Sequence, residues 1–197
     1  LLKPVFVTND PFRGKGNKLV LCEVLNPDST PHETNNRRKL AERVEELNIT
    51  NGEKSELPWF GWEQEYTLTH KPMIPFGIGE GIPLGFTLDP SKAPRPQGDY
   101  YCGIGSDNVV GREMVEEHMD ICMEIGLDIS GINAEVLLGQ WEFQIGPVTA
   151  LNGSDQLWIS RYILDRVSEK HNVNVSLHPK PIKGDWNGTG CHVNFSS

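Results

Sequence analysis

The chain has 197 residues with 27 acidic against 18 basic side chains, a formal net charge of -9. Hydrophobic residues make up 37% and charged residues 23%, a balance that suits a packed core and excludes general disorder. The acidic surplus argues against a nucleic-acid partner, whose phosphates call for clustered Lys and Arg, and no apolar run approaches the roughly 20 residues that a bilayer span needs.

In chain order, Lys18 to Val24 (KLVLCEV) predicts a strand, bounded by the turn-rich segments NDPFRGKGN and NPDSTP. Glu33 to Leu47 carries a helical pattern with a charged face of Arg37, Arg38, Glu42, Arg43 and Glu46. Pro58 opens a second strand, Trp59 to Leu68. Residues 69–100 are rich in Gly and Pro and lack a period, and loops this long are often functional. A helix is expected over Gly111 to Ile125, burying Met114, Val115, His118, Met119 and Cys122. Ile132 to Val136 and Gln140 to Ile145 read as a hairpin around Leu137-Leu-Gly139. Ser154 is a candidate N-cap for a helix reaching His171. Val173 to Leu177 alternates as a strand, and a Gly- and Asn-rich segment runs from Lys183 to Ser197.

The four cysteines, Cys22, Cys102, Cys122 and Cys191, form no C-x-x-C pair and read as reduced thiols of a cytoplasmic protein. N-x-S/T sequons begin at Asn48, Asn152, Asn174, Asn187 and Asn194, and the last two fall where a glycan would obstruct the candidate site described below. The chain starts at Leu1 rather than Met and gives the expectation of a piece cut at both ends.

Strand alternation places Glu63 and Glu65 on one face of their strand, about 7 Å apart, with Trp62, Gln64 and Tyr66 on the other. Glu135 and Glu142 sit among apolar neighbours on the two strands of the expected hairpin. Two like charges this close are unfavourable unless a cation or water lies between them. With His192, four carboxylates and one imidazole suit Mg²⁺ or Mn²⁺ better than a thiolate-rich zinc site. The same alternation also fits the wet face of a half-exposed sheet, and spacing alone leaves both open. There is no G-x-x-x-x-G-K-[ST] loop; Gly77, Gly79, Gly81 and Gly85 lie in a stretch that plain flexibility explains better than phosphate binding.

Four longer segments carry a resemblance: PWFGWEQEY at 58–66, GINAEV at 131–136, QWEFQIGP at 140–147 and KPIKGDWNGTGCHVNFS at 180–196. With lesser matches at 10–13, 17–23 and 96–103, the chain resembles glutamine synthetase of the eukaryotic type over nearly its whole length, in the family's order. The resemblance implies an α+β fold: a curved, mainly antiparallel catalytic sheet with helices outside over residues 33–197. Residues 1–32 would then be the end of an N-terminal β-grasp domain.

It further implies that Glu65, Glu135 and Glu142 hold the cation that orients glutamate, and that Glu63 and His192 hold the one that bridges ATP phosphates. Asp185, Trp186, Asn187 and Gly188 match the glutamate-binding loop. Trp59, the run Glu142, Phe143, Gln144, Ile145, Gly146 and Pro147, and Asn194, Phe195 and Ser196 match nucleotide-side positions. Glu135, Glu142 and His192 are the expected catalytic residues. The implied reaction joins ammonia to L-glutamate with ATP as co-substrate and Mg²⁺ or Mn²⁺ as cofactor, in a ring-shaped homo-oligomer with shared active sites. The alternatives are a ligase of the same fold that uses a larger amine, and a non-catalytic structural relative. Thr189 stands where the family usually has alanine, and the 70–95 loop is longer than the family pattern. The family's phosphate-gripping arginines have no counterpart in residues 1–197, so these residues alone are expected to be inactive.

Overall fold

The centre of the molecule is a strand paired along its whole length. In the computed structural model, which describes residues 1–50, 58–70 and 96–196, the elements run β1 (Leu2–Asn9), β2 (Lys18–Val24), α1 (Asn36–Thr50), β3 (Trp59–His70), α2 (Arg112–Glu124), β4 (Ile129–Ala134), β5 (Gln140–Val148), α3 (Ala150–His171), β6 (Val173–Ser176) and β7 (Cys191–Ser196). Residues 71–95, with Gly77, Gly79, Gly81 and Gly85, lie outside the described residues.

β3 pairs with β5 on one side. On its other side β7 takes the first half, Trp59 to Gln64, and β6 the second, Thr67 to His70. β4 completes a five-stranded antiparallel sheet by pairing with β5. β1 and β2 form a separate two-stranded sheet. The α+β expectation holds.

One face of the large sheet is apolar. Trp62, Tyr66 and Leu68 of β3 and Trp141, Phe143 and Ile145 of β5 pack against Met114, Val115 and Cys122 of α2 and Ile159, Ile163, Leu164 and Val167 of α3. Burying such side chains stabilises by about 1.5–3 kcal/mol each. This layer forces the alternate residues, including both β3 glutamates, to the opposite face. Gln64 is an exception in kind: a polar residue on the core side, satisfied by Arg161 Nε at 2.8 Å.

Several local expectations need correction. β1 was not foreseen; its Val5-Phe-Val-Thr8 run is β-branched and aromatic, but Pro4 interrupts the pattern, and the register with β2 shifts between Pro4 and Phe6. α1 begins and ends three residues later than expected. Arg37 and Arg38 leave its solvated face: Arg37 makes a bidentate pair with Asp155 at 2.8 and 2.9 Å, and Arg38 binds Glu23. Met119 is half-buried rather than buried.

β3 extends two residues further, to His70, because β6 continues to pair with it. β4 starts at Ile129 and ends at Ala134, so Glu135 lies just beyond it, in the turn closed by Glu135 N donating to Gln140 O at 2.9 Å. β5 continues to Val148. Ser154 is not the cap of α3: Thr149 is, and the Ser154 hydroxyl donates to Ala150 O at 2.7 Å inside the helix. Leu177 lies past the end of β6. The last segment forms β7, where Cys191, Val193 and Phe195 alternate with His192, Asn194 and Ser196 but every side chain is exposed.

Candidate functional site

The strand register assembles the polar face. Glu65 lies opposite Glu142, and Glu63 opposite Gln144, across β3 and β5. Asn133 of β4 lies opposite Glu142, and Gly131 opposite Gln144. On the other side of β3, His192 of β7 lies opposite Glu63. Glu63, Glu65, Glu135, Glu142 and His192 therefore come together on one surface.

They form two overlapping groups. One ligand atom from each of Glu65, Glu135 and Glu142 lies within 4.8 Å of the others, and the same holds for Glu63, Glu142 and His192. Glu142 belongs to both. Glu65, Glu135 and Glu142 are buried, at 8%, 8% and 7% exposure. Among the described residues no Lys or Arg pairs with these three. Their contacts are neutral donors: Gly190 N to Glu65 Oε2, Asn133 Nδ2 to Glu135 Oε1 at 3.1 Å, Val136 N to Glu135 Oε2 at 3.2 Å, and Gln144 Nε2 to Glu142 Oε1.

Buried carboxylates without a counter-charge resist ionisation. Burial pushes the Glu135 carboxyl above its ordinary value, and the charge of Glu65 adds to this. Burial does the same to Glu142, reinforced by Glu135, Glu63 and Glu65. Carboxylate oxygens with one imidazole and no thiolate make a donor set for a hard divalent cation. The residues fit such an ion: the missing counter-charge is what it would supply.

Beside these groups runs a cleft of about 370 Å³ lined by Trp59, Gln144, Ile145, Gly146, Pro147, Asn194, Phe195 and Ser196, with Phe60, Trp62 and Glu63. Phe60 and Phe195 meet edge-on, with ring centroids 5.5 Å apart. Of the expected nucleotide-side residues, Phe143 is set apart: its side chain is fully buried in the core. At Gly146 the backbone has φ +121, and a Cβ there would meet Phe60 O at 2.6 Å, so a side chain at this position would be doubly strained.

Asp185, Trp186, Asn187 and Gly188 lie in the connection between β6 and β7. Two glutamines absent from the sequence-based candidates hold it. Gln97 accepts from Asn187 N at 2.7 Å, and Gln140 Nε2 donates to Gly188 O at 2.8 Å. Lys180 Nζ donates to Trp186 O. A Cβ at Gly188 would meet Pro179 O at 2.8 Å, which fixes the residue type there. Asn133 was also missed, although its place two residues before Glu135 was a usable signal. Tyr101 too lies near the cluster: its hydroxyl is held above the ordinary tyrosine value by Cys102 and then by Glu135 and Glu142. All four cysteines are free thiols, and among the described residues no helix is long and apolar enough to cross a membrane.

The family model described as glutamine synthetase, catalytic domain, matches residues 34–197. The chain is 51% identical over 197 residues to glutamine synthetase of Streptomyces viridochromogenes, covering all of this chain and 52% of that protein. It is 47% identical over 196 residues to glutamine synthetase of Hebeloma cylindrosporum, covering all of this chain and 51% of the relative. To the chloroplastic leaf isozyme of Hordeum vulgare it is 43% identical over 197 residues, 42% of that protein. The chain thus spans about half the length of the curated relatives it matches.

Proposed function

The chain belongs to the glutamine synthetase family, and on that premise we propose that the whole protein joins ammonia to L-glutamate at the expense of ATP. The observation that carries this is the double place of Glu63. It belongs to the carboxylate–imidazole group with Glu142 and His192, and it also lines the apolar cleft. A nucleotide seated in that cleft directs its phosphates toward the charged end, where Glu63 and His192 stand.

Glu65, Glu135 and Glu142 hold one divalent cation and Glu63 and His192 a second, Mg²⁺ or Mn²⁺. When bound, these ions neutralise phosphate charge and so let two anionic reactants approach. The chain's own residues orient and enclose. The 185–188 loop, fixed by Gln97 and Gln140, binds glutamate, with Gly188 and His192 near its carboxylate. The glutamate γ-carboxylate attacks the γ-phosphorus of ATP, giving γ-glutamyl phosphate and ADP. Carboxylate is a poor electrophile, and phosphorylation supplies the leaving group. Ammonium binds beside carboxylates, loses a proton to solvent or to one of them, and attacks the activated carbonyl, releasing phosphate and glutamine.

The β1–β2 sheet, at residues 1–32, we assign to an N-terminal β-grasp domain and residues 33–197 to the catalytic domain. The whole protein on this reading is a cytoplasmic, ring-shaped homo-oligomer whose sites are shared between subunits. The experiment is a coupled assay on the whole protein with glutamate, ATP, Mg²⁺ and either ammonia or a polyamine. Glutamine and ADP in equal amounts with ammonia, lost in Glu63→Gln, is the expected result. Absence of ammonia-dependent ADP release overturns the proposal, and turnover only with the polyamine replaces it by the larger-amine ligase.

A further inference from the structure

One side chain, itself not counted among the ligands, bonds the carboxylate that the two cation-binding groups share. The Gln144 amide has two N–H bonds, and both are used on this face. One goes to Glu142 Oε1 and the other to Asn133 Oδ1 at 2.6 Å. Asn133 then turns its own Nδ2 to Glu135 Oε1 at 3.1 Å. The chain Gln144–Asn133–Glu135 thus runs from β5 to β4 and into the turn that follows it.

The backbone is arranged to let this happen. Gly131 lies opposite Gln144 in the ladder, at a register irregularity between Ile129 and Gly131. A Cβ on Gly131 would meet Gln144 Oε1 at 2.6 Å. The glycine therefore leaves room for the Gln144 amide, with its oxygen toward Gly131 and its NH₂ toward Glu142 and Asn133. That orientation makes the amide a donor, not an acceptor, toward Glu142.

We propose that Gln144 and Asn133 are positioning residues for divalent-cation binding: Gln144 acts on both cation groups through the shared Glu142, and Asn133 acts on one through Glu135. The inference rests on the cation-binding reading above. Carboxylates that repel one another would otherwise swing apart when no cation is present, and each would have to be re-ordered on binding. Neutral donors hold them converged without competing for the cation. Outer partners of this kind change metal affinity by about 10–100-fold when removed.

The two residues predict different patterns, which separates positioning from general damage. Mn²⁺ is titrated calorimetrically into the whole protein and into Asn133→Ser and Gln144→Met, with Tm and circular dichroism recorded for each. Asn133→Ser is expected to weaken the site of Glu65, Glu135 and Glu142 by about tenfold or more and to leave the site of Glu63, Glu142 and His192 within about twofold. Gln144→Met is expected to weaken both. Should Gln144→Met not fold, the site selectivity of Asn133→Ser alone decides the matter. Unchanged affinities in folded variants, or equal weakening of both sites by Asn133→Ser with a lowered Tm, overturn the positioning role while leaving the ligase reading intact. A wild-type protein that binds neither Mn²⁺ nor Mg²⁺ and turns over with neither overturns both.

Discussion

His192 and Glu63 face each other across the β7–β3 pair, with the imidazole Nδ1 3.4 Å from Glu63 Oε2. The histidine is 64% and the glutamate 34% exposed at the side chain. Exposed pairs of this kind contribute about 0–1 kcal/mol to stability. Their value on the present reading lies in joint ligation. His192→Ala is therefore expected to leave the midpoint of urea unfolding nearly unchanged. It should weaken Mn²⁺ binding at one of two sites by at least about tenfold, roughly 1.4 kcal/mol, and raise the KM for ATP. Calorimetry and initial-rate kinetics on the same preparation check this; unchanged Mn²⁺ binding rules His192 out as a ligand.

How far the sequence alone reaches is clear from this pair. Glu63 and Glu65 were legible because an apolar alternation on β3 marks their face, and Trp141, Phe143 and Ile145 mark the face of β5 in the same way. The partner of Glu63 was not legible in position. β7 alternates Cys191, Val193 and Phe195 with His192, Asn194 and Ser196, but it is exposed along its length and embedded in a Gly- and Asn-rich segment that reads as loop. The register itself, Glu65 against Glu142 and Glu63 against His192, joins residues 77 and 129 positions apart by their numbering. Turn chemistry between neighbours does not specify such long-range pairing. Glu135 was legible from its apolar neighbours but misplaced onto a strand, because the β4 pattern ends at Ala134 while Glu135 begins the turn.

The pH dependence of stability follows from the buried carboxylates. Burial raises both Glu135 and Glu142 above the ordinary value of 4.5. An acid with a raised native pKa binds its proton more tightly when folded. Its contribution to stability is complete below the ordinary value and is lost as pH rises through the raised one. Without divalent cation, then, these groups make the protein less stable on going from about pH 4.5 to neutrality. Glu142→Gln is expected to raise Tm by a few degrees at pH 7.5 in chelator while weakening Mn²⁺ binding severely. In the wild type, the Tm gain from Mn²⁺ should shrink on acidification, as protons compete for the ligands. Scanning fluorimetry with chelator and with Mn²⁺ across pH 5–8 tests both; a chelated Glu142→Gln variant no more stable than wild type contradicts the electrostatic account.

The β1–β2 sheet is anchored by a different carboxylate. The Glu23 side chain is fully removed from solvent and meets Arg38, Lys3 Nζ at 3.4 Å and Arg37 at 3.9 Å. Burial pushes its carboxyl up, but the hydrogen bonds and charge of Arg38, with the hydrogen bonds of Asn35 and Lys3, together outweigh this and hold it below the ordinary range. Its stabilisation is therefore present above the ordinary carboxylate value and lost as pH falls through the depressed one. Arg38→Ala is expected to cost about 1–3 kcal/mol, less than the about 3–5 kcal/mol of a wholly orphaned buried charge because Lys3 and Arg37 remain. Acid unfolding should begin at higher pH in this variant. Urea titrations at pH 7 and pH 4 measure both effects, with Arg38→Lys restoring part of the loss.

A glycine inside α3 couples the core to the cleft. A Cβ at Gly153 would lie 2.0 Å from Trp62 Cζ3 and 2.5 Å from Cη2, closer than any real contact permits. Trp62 is 8% exposed, packs in the core cluster, and lines the cleft beside Phe60, with ring centroids 5.6 Å apart. Replacing a helix glycine by alanine ordinarily stabilises by about 0.5–1 kcal/mol. Here the indole must move, and overpacking costs about 1–3 kcal/mol. The steric term wins, so Gly153→Ala is expected to be net destabilising in urea. Because the displaced ring lines the cleft, the KM for ATP should also rise, while Mn²⁺ affinity at the Glu65, Glu135 and Glu142 site stays close to wild type. A variant more stable than wild type would mean that the indole has room to turn aside, and the link between α3 packing and the cleft would fall.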